Sequence, residues 1–177
     1  MGIKAKGKLD FDALKELTYI WLYKKNEPQK RIKIYTISYT FLFLIILLEM
    51  YLFGIDTSLC LLLAVVVFGY ALQCYLHFLL PKIRYNSLKM MKDIVNEYFF
   101  QEEILHITSN NEEYSAQCDI KYSLITKIYE TKRYFIIYHN HTQAYIVDKS
   151  TFEDGATEDI RQILPAKING KFVKCNW

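Results

Sequence analysis

The sequence predicts a membrane α+β protein, in which a two-helix transmembrane hairpin carries an antiparallel β meander closed by one C-terminal helix. Three observations predict it. Two apolar runs, Ile34 to Phe53 and Leu59 to Leu80, are each long enough to cross a bilayer core at ~1.5 Å rise per residue. Only the short link Gly54-Ile55-Asp56-Thr57-Ser58 separates them, enough for a turn and no domain. From Tyr98 onward the pattern changes to short β-prone runs between polar turns.

These runs divide the chain into four parts. Residues 1–33 hold an amphipathic helix and a basic juxtamembrane segment. Residues 34–80 are the hairpin, with spans at 34–53 and 59–80. Residues 81–97 read as a helical stalk, and residues 98–177 as a β-rich cytosolic domain with a C-terminal tail. The net charge of +3 is unevenly placed. Residues 1–33 carry nine Lys/Arg and four Asp/Glu, net +5; the hairpin carries only Glu49 and Asp56, net −2; residues 81–177 carry thirteen of each sign. The basic excess lies beside the hairpin, and the soluble domain has no charge footprint for nucleic acid.

In chain order, Met1 to Leu9 is a loose basic end. From Asp10, a helix N-cap, the residues Phe11, Leu14, Leu17 and Trp21 share one helical face. This helix ends near Lys24-Lys25-Asn26, with Pro28 as the stop. It either lies in the membrane interface with Trp21 and Tyr23 at headgroup level, or packs on the soluble domain. Lys24, Lys25, Lys30, Arg31 and Lys33 precede the first span and Lys82, Arg84, Lys89 and Lys92 follow the second, whereas the turn has no Lys or Arg. The positive-inside rule then places both termini in the cytoplasm and residues 54–58 outside.

Three polar residues of the hairpin are candidate helix–helix contacts. Glu49 lies about one turn from the outer end and is read as snorkelling outward. Gln73 and His77 share a face near the inner end, at the opposite depth from Glu49, so a proton relay between them is not expected; a hydrogen bond from Gln73 to another helix is. Pro81 reads as the end of the second helix. The stalk places Leu88, Met91 and Val95 on one face.

The strands are read as Tyr98 to Gln101, Ile104 to Thr108, Tyr114 to Cys118, Leu124 to Glu130, Tyr134 to Tyr138 and Ala144 to Val147. Ser150-Thr151-Phe152-Glu153 has capping-box spacing, and a helix is expected over 157–164, stopped by Pro165, with Ile160, Ile163 and Leu164 covering the sheet. Beyond it, Asn169-Gly170 is a turn signal in an otherwise featureless tail.

Chemistry is sparse. Between Tyr70 and Asn169 the only glycine is Gly155, so phosphate-cradling loops are not expected. His139, His141 and His106 supply no third ligand by spacing, and no metal or other cofactor is expected. Glu102-Glu103 and Glu112-Glu113 are adjacent pairs at turns and do not make a carboxylate site. Four cysteines, Cys60, Cys74, Cys118 and Cys175, form no CxxC pair. Tyrosine is abundant at fifteen residues. Tyr129, Tyr134, Tyr138 and Tyr145, with the turn cations Lys132 and Arg133, form the candidate interaction surface of the domain.

Two adjacent apolar helices followed by "YSLITKIYETKRYFIIYHNHTQAYIVDKSTF" resemble the YcxB-like family of bacterial membrane proteins. The detailed likeness runs from Tyr122 to Phe152: a strand ending in Ile128-Tyr129-Glu130, the strand Tyr134 to Tyr138, then Ala144-Tyr145-Ile146-Val147 followed by Lys149 and Phe152. Asp148 stands where the family usually has Pro, which alters a turn. The resemblance implies a cytosolic domain similar to a small pleckstrin-homology-like barrel, and carries no catalytic or binding residue onto this chain. The expected function is a non-enzymatic, membrane-anchored binding or scaffold protein in a bacterial cytoplasmic membrane. Its expected partners are the lipid bilayer and a protein, or a second copy of itself. Two alternatives stand beside it: an immunity protein against a membrane-acting toxin or bacteriocin, and a ligand-sensing membrane effector that oligomerises.

Overall fold

The computed structural model describes residues 2–23, 27–88, 93–140, 143–153 and 156–175. Of the residues singled out above, Lys24, Lys25, Asn26, Lys89, Met91, Lys92, His141 and Gly155 lie outside the described set.

The basic N-terminal end is a strand, not a loose segment. In β1 (Ile3–Lys8), Ile3, Ala5 and Gly7 are buried and the three lysines between them are exposed, the period of a half-buried strand. It pairs antiparallel with β2 (Val95–Phe100), register Ile3↔Phe100 to Lys8↔Val95. The hairpin is therefore inserted between two neighbouring strands of one sheet. The pairing also corrects the stalk: Val95 to Glu97 belong to β2.

A first four-stranded sheet follows the order β1-β2-β3-β4, with β3 at Ile104–Asn110 and β4 at Ser115–Lys121. A 3₁₀ turn, Tyr122–Leu124, leads into the second sheet. That sheet runs β7-β6-β5-β8, with β5 Lys127–Glu130, β6 Tyr134–Tyr138, β7 Ala144–Asp148 and β8 Lys171–Lys174. Its pairs are antiparallel except β5–β8, which is parallel. The expected simple meander is thus two sheets, and they do not close into a barrel. The tail read as featureless supplies β8. Its approach requires Gly170, where a Cβ would lie 2.2 Å from the Thr126 carbonyl oxygen.

The sheets face each other across one core. Tyr98, Phe100, Leu105, Ile107 and Ile120 come from the first sheet, and Ile128, Phe135, Ile137 and Val147 from the second. Helix α5 (Ala156–Lys167) adds Ile160 and Leu164. It starts one residue earlier than expected and runs past Pro165. The capping-box residues do not start it: Lys149–Thr151 form a 3₁₀ turn, capped by the Asp148 carboxylate accepting from Ser150 N–H at 2.9 Å.

Helix α1 spans Phe11–Tyr23, its N-terminus capped by Asp10 Oδ1 accepting from Ala13 N–H at 2.7 Å. Its buried face is Ala13, Leu14, Thr18, Tyr19, Ile20 and Tyr23; Phe11 and Trp21 are exposed, contrary to the expected stripe. Pro28 opens the next helix, α2 (Pro28–Phe53), because the first turn needs no proline N–H. Gly54, at φ 90°, ends it. Asp56 caps α3 (Thr57–Cys74) by accepting from Thr57 N–H at 2.7 Å. This second helix does not stop at Pro81. It passes through a π turn, Tyr75–Leu79, into α4 (Leu80–Ser87). The wide turn lies just upstream of Pro81, where a regular ladder would meet the missing N–H and the ring.

The two hairpin helices are long and apolar enough to cross a membrane, and 6% of each apolar window is buried. Where they touch, Tyr39 packs on Gly69 and lies edge-on to Tyr70, at 6.2 Å between ring centroids.

Candidate functional site

The second sheet is covered on both faces, and its outer cover is α1. Residues of β5 to β8 alternate between the inter-sheet core and this second cluster, where Tyr129, Tyr134, Ile136, Ile146 and Cys175 meet Ala13 and Ile20. Double coverage explains the unbroken apolar runs Tyr134 to Tyr138 and Ala144 to Val147, since a strand buried on both sides needs no polar alternation.

Polar bonds fix the helix at its start and middle. Tyr134 Oη donates to the Asp10 carboxylate at 3.1 and 3.2 Å. Arg133 reaches Asp148 at 3.1 Å, Asp10 at 3.4 Å and Asp12 at 3.5 Å. Thr131, buried, donates to Glu16 Oε2 at 2.5 Å. Burial pushes the Glu16 carboxyl above its usual range, and the Thr131 bond and Arg133 offset only part of that. Tyr134 is also pushed up, by burial and by the Asp10 carboxylate; Tyr138 rises to about 12, by burial and then by Tyr129.

The opposite side of α1 faces the domain end of the hairpin. Phe11 packs edge-on to Tyr85, 5.7 Å between centroids, and Arg84 lies 5.5 Å from the centre of the Trp21 ring. Tyr23 Oη bonds to His77 Nε2 within the π turn, and His77 Nδ1 lies 2.6 Å from the Gln73 carbonyl oxygen. With Nδ1 on that carbonyl and Nε2 on the Tyr23 hydroxyl, both ring nitrogens of the buried imidazole are engaged. Gln73 Nε2 donates to the Ile32 carbonyl at 3.4 Å, linking the two hairpin helices. Helix α1 is thus a wedge between the sheet and the hairpin, packing on the domain and on α4 together while Trp21 stays exposed.

The predicted residues separate accordingly. Tyr129 and Tyr134 are buried and Tyr138 half-buried beneath α1, so they meet this chain's own helix. Arg133 is ion-paired and Lys132 is exposed in the turn. Tyr145 points into the inter-sheet core, on the other face. Gln73 and His77 come together at the joint. Glu49 is exposed at the far end of α2 and makes no ion pair or hydrogen bond among the described residues.

Sequence reasoning missed Glu130, whose side chain is 2% exposed. Its Oε1 accepts from Lys149 Nζ at 2.9 Å and Arg161 Nη2 at 2.6 Å, joining β5, the 3₁₀ turn and α5. Burial alone would raise this carboxyl; Arg161 and Lys149 outweigh it and hold it below the usual range. Strand alternation gives no sign of such a network, because its partners lie 19 and 31 residues away.

Residues 100–164 match the family model of YcxB-like proteins. The chain carries a YcxB-like domain. The match begins in the last residue of β2 and ends in α5, so the Glu130 network and β5 to β7 lie inside the YcxB-like domain, whereas β1, α1 and the hairpin lie outside it. No curated protein and no solved structure matches the chain.

An open groove of about 660 Å³ runs over the outer face of the first sheet. Lys4, Lys6, Glu97, Phe99, His106 and Thr108 line it. His106 Nδ1 lies 2.5 Å from Asp119 Oδ1, and Thr108 Oγ1 is 3.3 Å from Nε2. The His106 and Asp119 side chains are 31% and 60% exposed there. Among the described residues, no group of three His, Cys, Asp or Glu is placed to hold a metal.

Proposed function

We propose that this protein is a membrane-anchored, non-enzymatic binding protein, presenting its YcxB-like domain as a pleckstrin-homology-like module at the cytoplasmic face of a bacterial membrane. The observation that carries the proposal is the bare hairpin set into the domain. Its two helices expose apolar side chains all round, far more than a soluble protein leaves to water. Both of its domain-side ends continue into neighbouring strands, β1 and β2. Two four-stranded sheets with a C-terminal helix packed on their core are compatible with a pleckstrin-like module. Since α1 fills the tyrosine face, the partner surface is the open groove of the first sheet.

The test is affinity capture of the intact protein from membranes after mild crosslinking, alongside Phe99→Glu. The same partner recovered repeatedly, and lost with Phe99→Glu, supports a binding role. No reproducible partner refutes it.

One observation favours the effector alternative. Helix α1 links the second sheet to His77, so a change in the domain has a mechanical route into the hairpin. In that case Tyr23→Phe changes growth on overexpression of the full chain; unchanged growth removes the reading.

A further inference from the structure

We infer that the domain end of the hairpin binds the headgroup of an anionic phospholipid of the adjoining leaflet, with Arg84 and Lys82 as the phosphate contacts and Trp21 as the interfacial anchor. The inference rests on the membrane reading of the hairpin.

On the soluble domain, Lys6, Lys8, Arg133, Lys149 and Arg161 are ion-paired, while others, such as Lys121 and Lys171, make no ion pair among the described residues. At the base of the hairpin, Lys30, Arg31, Lys33, Lys82 and Arg84 make no ion pair among the described residues. The nearest carboxylate in sequence is Glu27, and residues 57–88 contain none. The carboxylates of α1 do not serve them: Asp12 is engaged by Arg133, and Glu16 by Thr131. Among the described residues, five cations and one carboxylate without an ion pair, Glu27, flank the apolar surface at the base of the hairpin.

Their level follows from the bonds already described. Gln73 bonds to Ile32, so these residues share a depth at the edge of the apolar run. Tyr23 meets His77 about one turn closer to the domain, and Arg84 lies roughly 10 Å beyond His77 along the helix. Trp21, two residues before Tyr23, is 65% exposed, while Ile20 on the same helix is buried. An exposed indole at this level is a headgroup anchor. Arg84 lies against that ring, and among the described residues no carboxylate occupies its planar fork of N–H donors, the geometry that takes a phosphate bidentately. Lys30, Arg31 and Lys33 lie on α2 and Lys82 and Arg84 on α4, so both helices carry cations beside the apolar run, which suits a lipid headgroup.

The experiment uses the full chain in nanodiscs of phosphatidylcholine, with or without added phosphatidylglycerol. Trp177→Phe leaves Trp21 as the only tryptophan. Phosphatidylglycerol is expected to shift Trp21 emission to the blue and to remain bound in native mass spectrometry. Removing each cation, by Lys82→Gln or Arg84→Gln, lowers phosphatidylglycerol retention about fivefold, as expected for one charge near an anionic surface; Lys82→Arg keeps it. Equal emission and equal retention in the two lipids overturn the inference, and so does the same shift from inorganic phosphate in phosphatidylcholine alone. The wild-type comparison decides even where a variant misfolds. Release of the wild type from vesicles by alkaline carbonate overturns the membrane reading, and this inference with it.

Discussion

Glu130→Gln is predicted to be the most damaging single substitution at the YcxB-like domain's charged network. The wild-type carboxylate, 2% exposed, takes two cations on one oxygen, from Lys149 at 2.9 Å and Arg161 at 2.6 Å. The amide keeps the volume and removes the charge. Lys149, with 13% of its side chain exposed, is left with little water to replace it, whereas Arg161, at 32%, keeps Glu158. Breaking a buried pair by deleting one partner costs about 3–5 kcal/mol, and the partial exposure of Arg161 argues for the lower end, ~3 kcal/mol. For a domain of roughly 100 residues that is a fall in melting temperature of at least ~12 °C. The pH dependence follows from the lowered carboxyl. Its stabilisation is complete above the unfolded value, ~4.3, and is lost as pH falls through the folded value. The variant lacks this acid-side loss. Thermal unfolding followed by circular dichroism in detergent, at neutral pH and through the acid range, reads both effects. Replacing all three groups with apolar residues, Glu130→Leu with Lys149→Met and Arg161→Leu, is expected to stay within about 1 kcal/mol of wild type or exceed it, because no charge is then left unpaired. A single variant within about 0.5 kcal/mol of wild type, or a triple variant that falls as far as the single, refutes this reasoning.

Other predictions concern the wedge helix and the strand before it. Glu16 has the opposite sign to Glu130: its raised carboxyl favours the fold below the unfolded value, and that contribution is lost as pH rises through the folded value. Glu16→Gln, which still accepts from Thr131, is expected to melt higher than wild type at neutral pH and level with it below about pH 4; equal melting at both refutes this. Tyr23→Phe removes the bond to His77 at a cost of about 1 kcal/mol, read as faster amide hydrogen exchange at the end of α1 with β6 unchanged. Gly7→Ala places a Cβ 1.8 Å from the Ile146 carbonyl oxygen, so β1 must shift away from β7, a loss of about 1–3 kcal/mol in thermal unfolding.

What the sequence determined alone are the elements whose signal is local. The hairpin, its short turn and the strand Tyr134–Tyr138 are legible because apolar length, a five-residue link and an unbroken apolar run need no distant partner. The tertiary structure decided what depends on contacts far along the chain. Ile3 to Lys8 alternates as a strand should, but its partner begins at Val95, beyond the whole hairpin, and a short lysine-rich segment shows its pairing only when that neighbour is in place. Pro81 and Pro165 resemble helix stops, yet a π turn in one case and packing of Ile160 and Leu164 in the other carry the helix onward. Composition reads the tyrosines as an interaction surface for a partner, but alternation cannot name what covers them, and here it is this chain's own packing. That Tyr129 and Tyr134 meet α1 while Tyr145 turns into the core follows from strand register and from where Ala13 and Ile20 come to rest. The same is true of Glu130: a carboxylate at a strand end reads as solvated until Arg161 arrives on α5 and makes its burial tolerable.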